Sequence, residues 1–178
     1  DPENQAISWS LIGAPAFVTR VGNQLQLLSA GLNYEAATSH NFTIRATDTG
    51  GLVHDTTFTL YVGNVNESPY NIRDVDGAHG GAVTEGVGGY TGIQVQADDP
   101  EGSGTLSYSI SGGNASGWFS INATTGQIYA SSAIDRENAT YVTSGQITLS
   151  VTATDNANPA LSVSRSDVVV TIANVNEA

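Results

Sequence analysis

The strongest constraint on this chain is that it repeats itself. Asp1-Pro2-Glu3 returns as Asp99-Pro100-Glu101, and Ile7-Ser8-Trp9-Ser10-Leu11 as Leu106-Ser107-Tyr108-Ser109-Ile110. Phe17 aligns with Phe119, Leu32-Asn33-Tyr34-Glu35 with Ile134-Asp135-Arg136-Glu137, and Ala46-Thr47-Asp48 with Ala153-Thr154-Asp155. Asn64-Val65-Asn66-Glu67 returns near the end as Asn174-Val175-Asn176-Glu177. Six anchors in one order describe two copies of one unit. The run of amides and carboxylates that ends at Pro69 in the first copy reads as a joint rather than as core. It divides the chain into 1–66 and 67–178.

Inside each copy apolar and polar residues alternate. Phe42-Thr-Ile44-Arg-Ala46 and Phe58-Thr-Leu60-Tyr-Val62 do so in the first, and Ile147-Thr-Leu149-Ser-Val151-Thr-Ala153 and Val168-Val-Val170-Thr-Ile172 in the second. Period two buries one face of a strand and wets the other. Thr49-Gly50-Gly51 and Thr124-Thr125-Gly126 mark turns. No stretch carries helical periodicity with caps. Short strands separated by frequent turns predict an all-β chain of tandem β-sandwiches. The second copy opens with Ala82-Val83-Thr84-Glu85 and Thr91-Gly-Ile93-Gln-Val95-Gln-Ala97, and the first has no counterpart of either. The first copy is therefore expected to lack two strands, which leaves sheet edges unpaired and apolar faces wet. The chain starts mid-pattern and reads as an excised piece of something longer.

Charge excludes several functions. Seventeen acids stand against five arginines, with no lysine, for a formal net charge of −12 over 178 residues. Such a surface cannot neutralise phosphates, so nucleic acid is not the partner. Nor does it suit an anionic membrane, and no apolar run approaches the ~18 residues of a membrane span. It suits divalent cations. Cysteine is absent, which removes disulfides and thiolate metal sites. His40, His54 and His79 are scattered without partners at zinc spacing. No nucleophile triad, nucleophile elbow or phosphate-binding glycine loop occurs, and the chain is not expected to be an enzyme. Asp74-Val75-Asp76-Gly77 resembles the start of a calcium loop but lacks the closing acid, and reads as a plain turn.

Taken together, these anchors resemble the cadherin repeat, especially the cadherin-like repeats of bacterial surface proteins. Ile134-Asp135-Arg136-Glu137 is similar to the family's L-D-R-E motif, Ala153-Thr154-Asp155 to its A-x-D, and Asp99-Pro100-Glu101 to its D-x-D with glutamate in second place. Asn64 to Ser68 stands at the D-x-N-D-N linker, Glu85 at the first-strand acid, and Phe119-Ser-Ile121-Asn with Thr125-Gly126-Gln-Ile128 at the F-x-I-D…T-G-x-I segment. The resemblance covers nearly the whole chain. It implies seven-strand Greek-key (immunoglobulin-like) sandwiches joined by a calcium-binding linker.

The resemblance also implies a ligand set. Calcium takes six to eight oxygens, more than a short loop supplies. At a cadherin-type joint they come from Glu35 of the first repeat, Asn66, Glu67 and the Ser68 carbonyl of the linker, and Asp99, Glu101 and Asp155 of the second. Like charges ~4 Å apart at an effective dielectric near 20 repel by about 4 kcal/mol, so the joint should splay without Ca2+ and stiffen with it. Asn33 replaces an aspartate and the first copy lacks its first-strand acid, so fewer than the family's three ions are expected there. Glu85, Asp135, Glu137, Asn176 and Glu177 form a half-site toward a following repeat. Asp1, Glu3 and Asp48 form one toward a preceding repeat.

Two functions follow from different classes. One is a calcium-dependent adhesion or spacer module of a cell-surface or secreted protein, whose partners are neighbouring repeats and, for homophilic adhesion, itself. The other is a calcium-dependent polysaccharide-binding module. Tyr90, Tyr129, Tyr141 and Trp118 are the aromatics that sugar rings could stack on. Trp118 is the candidate contact, since its counterpart in the first copy is Ala16, whereas Trp9 and Tyr108 occupy matched core positions. Asn66-Glu67-Ser68 is also a glycosylation sequon, and a glycan there would block the ion. That favours a bacterial source for an extracellular protein.

Overall fold

A computed structural model describes residues 6–28, 31–76, 80–102 and 106–176. It divides into two compact units, Asp1–Val65 and Asn66–Ala178, and every regular element among the described residues is a strand.

Unit 2 contains β6 (Tyr70–Asp74), β7 (Gly81–Thr84), β8 (Gly89–Asp98), β9 (Ser107–Gly112), β10 (Phe119–Ile121), β11 (Gln127–Ala130), β12 (Gln146–Thr154) and β13 (Ser162–Ala173). Two four-stranded sheets form, in the orders β10-β11-β8-β6 and β7-β13-β12-β9. All pairings are antiparallel except β7 with β13. The alternation read from sequence sets which face is buried. Thr91, Ile93, Val95 and Ala97 of β8 point inward, as do Ile147, Leu149, Val151 and Ala153 of β12 and Val168, Val170 and Ile172 of β13. These side chains form one core between the sheets, and each fully buried aliphatic contributes about 1.5–3 kcal/mol. Two polar groups that reach into the core are paired. Thr91 Oγ1 donates to Ile128 O at 2.8 Å, and the Tyr108 hydroxyl accepts from Ala97 N at 3.2 Å. The Thr124-Thr125-Gly126 turn needs its glycine. Gly126 has φ of 72°, and a Cβ there would lie 2.1 Å from Val95 O.

Unit 1 contains β1 (Ser8–Ile12), β2 (Val18–Val21), β3 (Gln24–Leu27), β4 (Ser39–Thr47) and β5 (Val53–Tyr61). They form a sheet β1-β4-β5 and a hairpin β2-β3. Val18 and Phe42 are buried. Trp9, expected in the core beside its match Tyr108, is instead 44% exposed, whereas Tyr108 is 7% exposed. The backbone registers agree, with Trp9 opposite Ala46 and Tyr108 opposite Ala153. What differs is the cover. Among the described residues of unit 1 no strand pairs with the outer edge of β3 or β5, while in unit 2 β8 pairs with β11 and β7 with β13.

The expected sugar contact is corrected in the opposite sense. Trp118 is 9% exposed and belongs to the core, with Tyr141 packed edge-on at 5.6 Å between ring centroids. Its counterpart is Phe17 and not Ala16. Phe17 O accepts from Leu28 N and Trp118 O from Ser131 N, both at 2.8 Å, and Val18 opposite Leu27 matches Phe119 opposite Ala130. Trp118 is thus a structural aromatic in a position that is aromatic in both units. Tyr90 and Tyr129 pair with each other at 5.4 Å, and the Tyr90 hydroxyl donates to Asp76 Oδ2 at 2.5 Å. Of the Asp74–Gly77 stretch, Asp74 ends β6 and its Oδ1 accepts from Asp76 N at 3.1 Å, whereas Gly77 lies outside the described residues.

Candidate metal centres at the two ends of unit 2

Strand β8 fixes the scale of the sandwich. Its first residue, Gly89, pairs with Ala130, and its last, Asp98, with Tyr70. Ten residues at ~3.3 Å each separate these ends by about 30 Å. The acids singled out in the sequence gather at both.

At the end where β8 and β12 finish, Asp99 and Glu101 follow β8 and Asp155 follows β12. Asp155 is 7% exposed and held from three sides. Its Oδ1 accepts from Ala157 N and Leu161 N, each at 3.1 Å, and its Oδ2 accepts from Asn66 Nδ2 at 2.9 Å. The Asn66 amide holds the carboxyl below the usual aspartate range, aided by the backbone donors of Leu161 and Ala157. Glu101 N donates to Asp99 Oδ1 at 3.0 Å, and Glu67 N to Glu101 Oε1 at 3.4 Å. Asp99 Oδ2 is buried without a hydrogen-bond partner. Burial, then the neighbouring Glu101, pushes the Asp99 carboxyl up, while hydrogen bonding with the Glu67 side chain holds Glu101 down. Ser68 is exposed beside the buried Pro69.

At the other end Glu85 follows β7 and is 3% exposed. It accepts from Arg136 N at 2.9 Å through Oε2 and from Val175 N through Oε1. Those two donors, Val175 first, hold its carboxyl below the usual range. Glu137 N donates to Asp135 Oδ1 at 2.9 Å, the same local turn that Glu101 makes on Asp99. Glu85, Asp135 and Glu137 each present a carboxylate oxygen within 4.8 Å of the others. The hydrogen bond with Glu85 pushes the Glu137 carboxyl up. Arg136 sends its guanidinium to Asn174 Oδ1 at 3.4 Å.

Of the residues singled out by sequence, the fold brings together Asn66, Glu67, Asp99, Glu101 and Asp155 at one end, and Glu85, Asp135 and Glu137 at the other. Asn176 is exposed just beyond β13, and Glu177 lies outside the described residues. Glu35 belongs to unit 1 and is exposed in the turn before β4. Asp48 accepts from Leu52 N at 2.9 Å, whereas Asp1, Glu3 and His79 fall outside the described residues. Sequence reading missed Val175, whose backbone N–H pins Glu85. Its recurrence as the valine of both joints, Val65 and Val175, was the available signal.

The donors at both ends are carboxylate, amide and carbonyl oxygens, the hard set that suits calcium rather than zinc. A buried carboxylate oxygen without a partner and a cluster of mutually repelling acids are what a divalent cation would satisfy.

Comparison with known proteins agrees with this arrangement. The cadherin-domain profile matches residues 80–173. Protocadherin Fat 2 of Rattus norvegicus is 29% identical over 167 residues, which is 90% of this chain and 4% of that protein. Protocadherin gamma-A10 of Pan troglodytes is 31% identical over 153 residues, 76% of this chain and 15% of that protein. This sequence therefore spans only a small part of its curated relatives. Among solved structures, the protocadherin gammaB7 EC3-6 cis-dimer is 30% identical with a TM-score of 0.64, over 94% of this chain and 41% of that one. Human protocadherin-24 EC1-2 shares the fold at a TM-score of 0.69 and 20% identity, over 98% of this chain and 85% of that one. These relatives are animal proteins, and the expected bacterial source finds no support among them.

Proposed function

The chain belongs to the cadherin family, and from that premise we propose that it is a calcium-dependent adhesion or spacer module, stiffened by Ca2+ where successive repeats meet. Cadherin domains are extracellular, and the family's proteins adhere rather than catalyse. The observation that carries the reading is the meeting of Glu85, Asp135 and Glu137 within 4.8 Å, with the Arg136 guanidinium hydrogen-bonded to Asn174. The orphaned Asp99 Oδ2 supports it at the opposite end.

Asp99, Glu101, Asp155, Glu67, Asn66 and the Ser68 carbonyl would hold an ion at one end. Glu85, Asp135 and Glu137, with Asn176 and Glu177, would hold one at the other. Neighbouring repeats supply the remaining oxygens. A bound calcium ion supplies charge neutralisation and a many-toothed oxygen bridge. The chain's own contribution is placement. Backbone donors from Ala157 and Leu161 orient Asp155, those from Arg136 and Val175 orient Glu85, and the paired Asp-x-Glu turns aim Asp99 and Asp135. Partners are the adjoining repeats and, for homophilic adhesion, a second copy. Polysaccharide binding loses its support because Trp118 is in the core.

Sedimentation velocity and thermal unfolding in calcium and in EDTA test the proposal. A higher melting temperature and calcium-dependent self-association are expected. Identical behaviour in both buffers would remove the basis for it.

A further inference from the structure

Strands β6 and β7 divide one flank of unit 2 between them. β6 lies at the edge of one sheet and pairs with β8 as far as Asp74 opposite Val95. β7 lies at the edge of the other and pairs with β13 from Gly81 opposite Val170. Where the flank passes from one strand to the other, two charged residues face inward. Cross-strand partners in an antiparallel pair project to the same side of their sheet. Asp74 stands opposite Val95 and Arg165 opposite Val151, and both valines belong to the core. An acid from one sheet and a base from the other are therefore directed into the space between the sheets.

They do not pair with each other. The Arg165 guanidinium is turned to Asp167, with Nε donating to Oδ1 and Nη2 to Oδ2, while Nη1 donates to Ile72 O at 3.3 Å. A bulge allows this. Leu149 is opposite Val168 and Val151 is opposite Arg165, so Ser150 of β12 faces both Ser166 and Asp167 of β13. Asp74 is left over. Its Oδ1 accepts from Asp76 N and Gln94 N, both at 3.1 Å, but its Oδ2 is buried without a hydrogen-bond partner. No salt bridge among the described residues reaches it. Both charges line a cavity of about 360 Å³, together with Ile93, Val95, Asp167 and Val168.

The lining defines the ligand. Two carboxylates and one guanidinium leave the cavity negative, and the guanidinium is already met by Asp167. A buried carboxylate oxygen without a partner is costly, and a charged donor is the strongest remedy. A divalent ion fits poorly, because one unpartnered carboxylate oxygen beside a guanidinium is far from the six to eight oxygens that calcium takes. Ile93, Val95 and Val168 give the cavity an apolar floor, which suits a cation with a short aliphatic body. Inward charge at a sheet edge also deters edge-to-edge pairing, but that role does not depend on what meets Asp74 Oδ2. We propose that this cavity binds an alkylammonium group, whose N–H groups donate to Asp74 Oδ2 and whose carbons rest on Ile93, Val95 and Val168. Free amines and lysine side chains carry that group, and the chain has no lysine of its own. The site shares no residue with the calcium clusters and stands independently of them.

The test is a titration of n-butylammonium into the full chain, followed through the methyl resonances of Ile93, Val95 and Val168. Those methyls do not respond to ammonium held loosely by the acidic ends. Saturable shifts with a Kd of roughly millimolar order are expected for a ligand this small. Uncharged 1-butanol should bind at least about tenfold more weakly, and butyrate should not bind. A short N-acetylated peptide with a single lysine forms the second arm. Binding as tight as that of butylammonium assigns the group to a protein partner, and weaker binding assigns it to a free amine. Asp74→Asn keeps an Oδ1 for the two backbone donors and places an N–H where the unpartnered oxygen was. It should abolish binding while circular dichroism stays unchanged. Equal shifts with butylammonium and 1-butanol, shifts that never saturate, or undiminished binding to Asp74→Asn each overturns the proposal.

Discussion

Ile128 and Leu25 occupy one structural position in two settings, and truncating both gives the sharpest test of the fold. Ile128→Ala removes three carbons from a side chain that is 0% exposed, deep between two sheets. Large-to-small changes at such sites cost about 2–5 kcal/mol, because the lost transfer free energy is joined by a cavity that the sheets cannot close. A middle value of about 3 kcal/mol lowers the melting temperature of a unit of about 110 residues by roughly 12 °C. Leu25→Ala removes the same number of carbons from a side chain that is 44% exposed. It leaves no sealed cavity and forgoes only about half of a leucine's transfer term, about 1 kcal/mol or less. Differential scanning calorimetry in EDTA reads both, and tryptophan emission assigns the transitions, since Trp9 reports unit 1 and Trp118 unit 2. An equal loss from the two substitutions would mean that Leu25 is covered as Ile128 is, and would refute the half-covered description of unit 1.

Other outcomes follow from single features. Gly126→Ala should cost at least about 1–2 kcal/mol, since its φ is positive and the new Cβ would meet Val95 O; an unchanged denaturation midpoint would contradict the turn geometry. Trp118→Ala should lower stability by about 3–5 kcal/mol, and pull-down on insoluble polysaccharides should not distinguish it from the parent chain. Asp99→Asn with Asp155→Asn should remove the part of the calcium-induced rise in melting temperature that belongs to that end, read by calorimetry with and without EDTA. Calcium affinity should fall on mild acidification, measured by isothermal titration. Asp99 and Glu137 take up protons above the usual carboxylate range, and each bound proton must leave before an ion enters. The Asp98 carboxyl shows the opposite sign. The Asn71 amide and then Arg73 hold it below the usual range, so its stabilisation is present above the unfolded pKa of about 3.9 and is lost as pH falls through the lower folded value.

The sequence announced its long strands clearly. In β8 and β12 the period-two pattern runs long enough to assign the buried face residue by residue. Strand β6 was not legible. Tyr70 to Asp74 is short, and Asn71 at φ of 56° interrupts its pairing with β8. Trp118 was misjudged because aligning Phe17 with Phe119 by chemical identity shifts the copies by one residue; only the hydrogen-bond ladder reveals that Phe17 matches Trp118. Trp9 differs from Tyr108 because matched positions do not carry matched burial, which depends on neighbouring strands such as β8 that the pattern around Trp9 does not report. Among the site residues, Asp99 and Glu101 are two apart and legible as a pair. Glu85 meets Asp135 and Glu137 through hydrogen bonds from Gly86 N to Ile134 O and from Arg136 N to Glu85, a contact across some fifty residues that the family resemblance, and no local pattern, put together.

The account rests on divalent ions held by acids at both ends of unit 2, and anomalous diffraction from crystals grown in calcium addresses that directly. It predicts density peaks about 2.3–2.6 Å from carboxylate oxygens of Asp99, Glu101 and Asp155, and of Glu85, Asp135 and Glu137. A map with no peak at either cluster, and those carboxylates solvated by water, would contradict it.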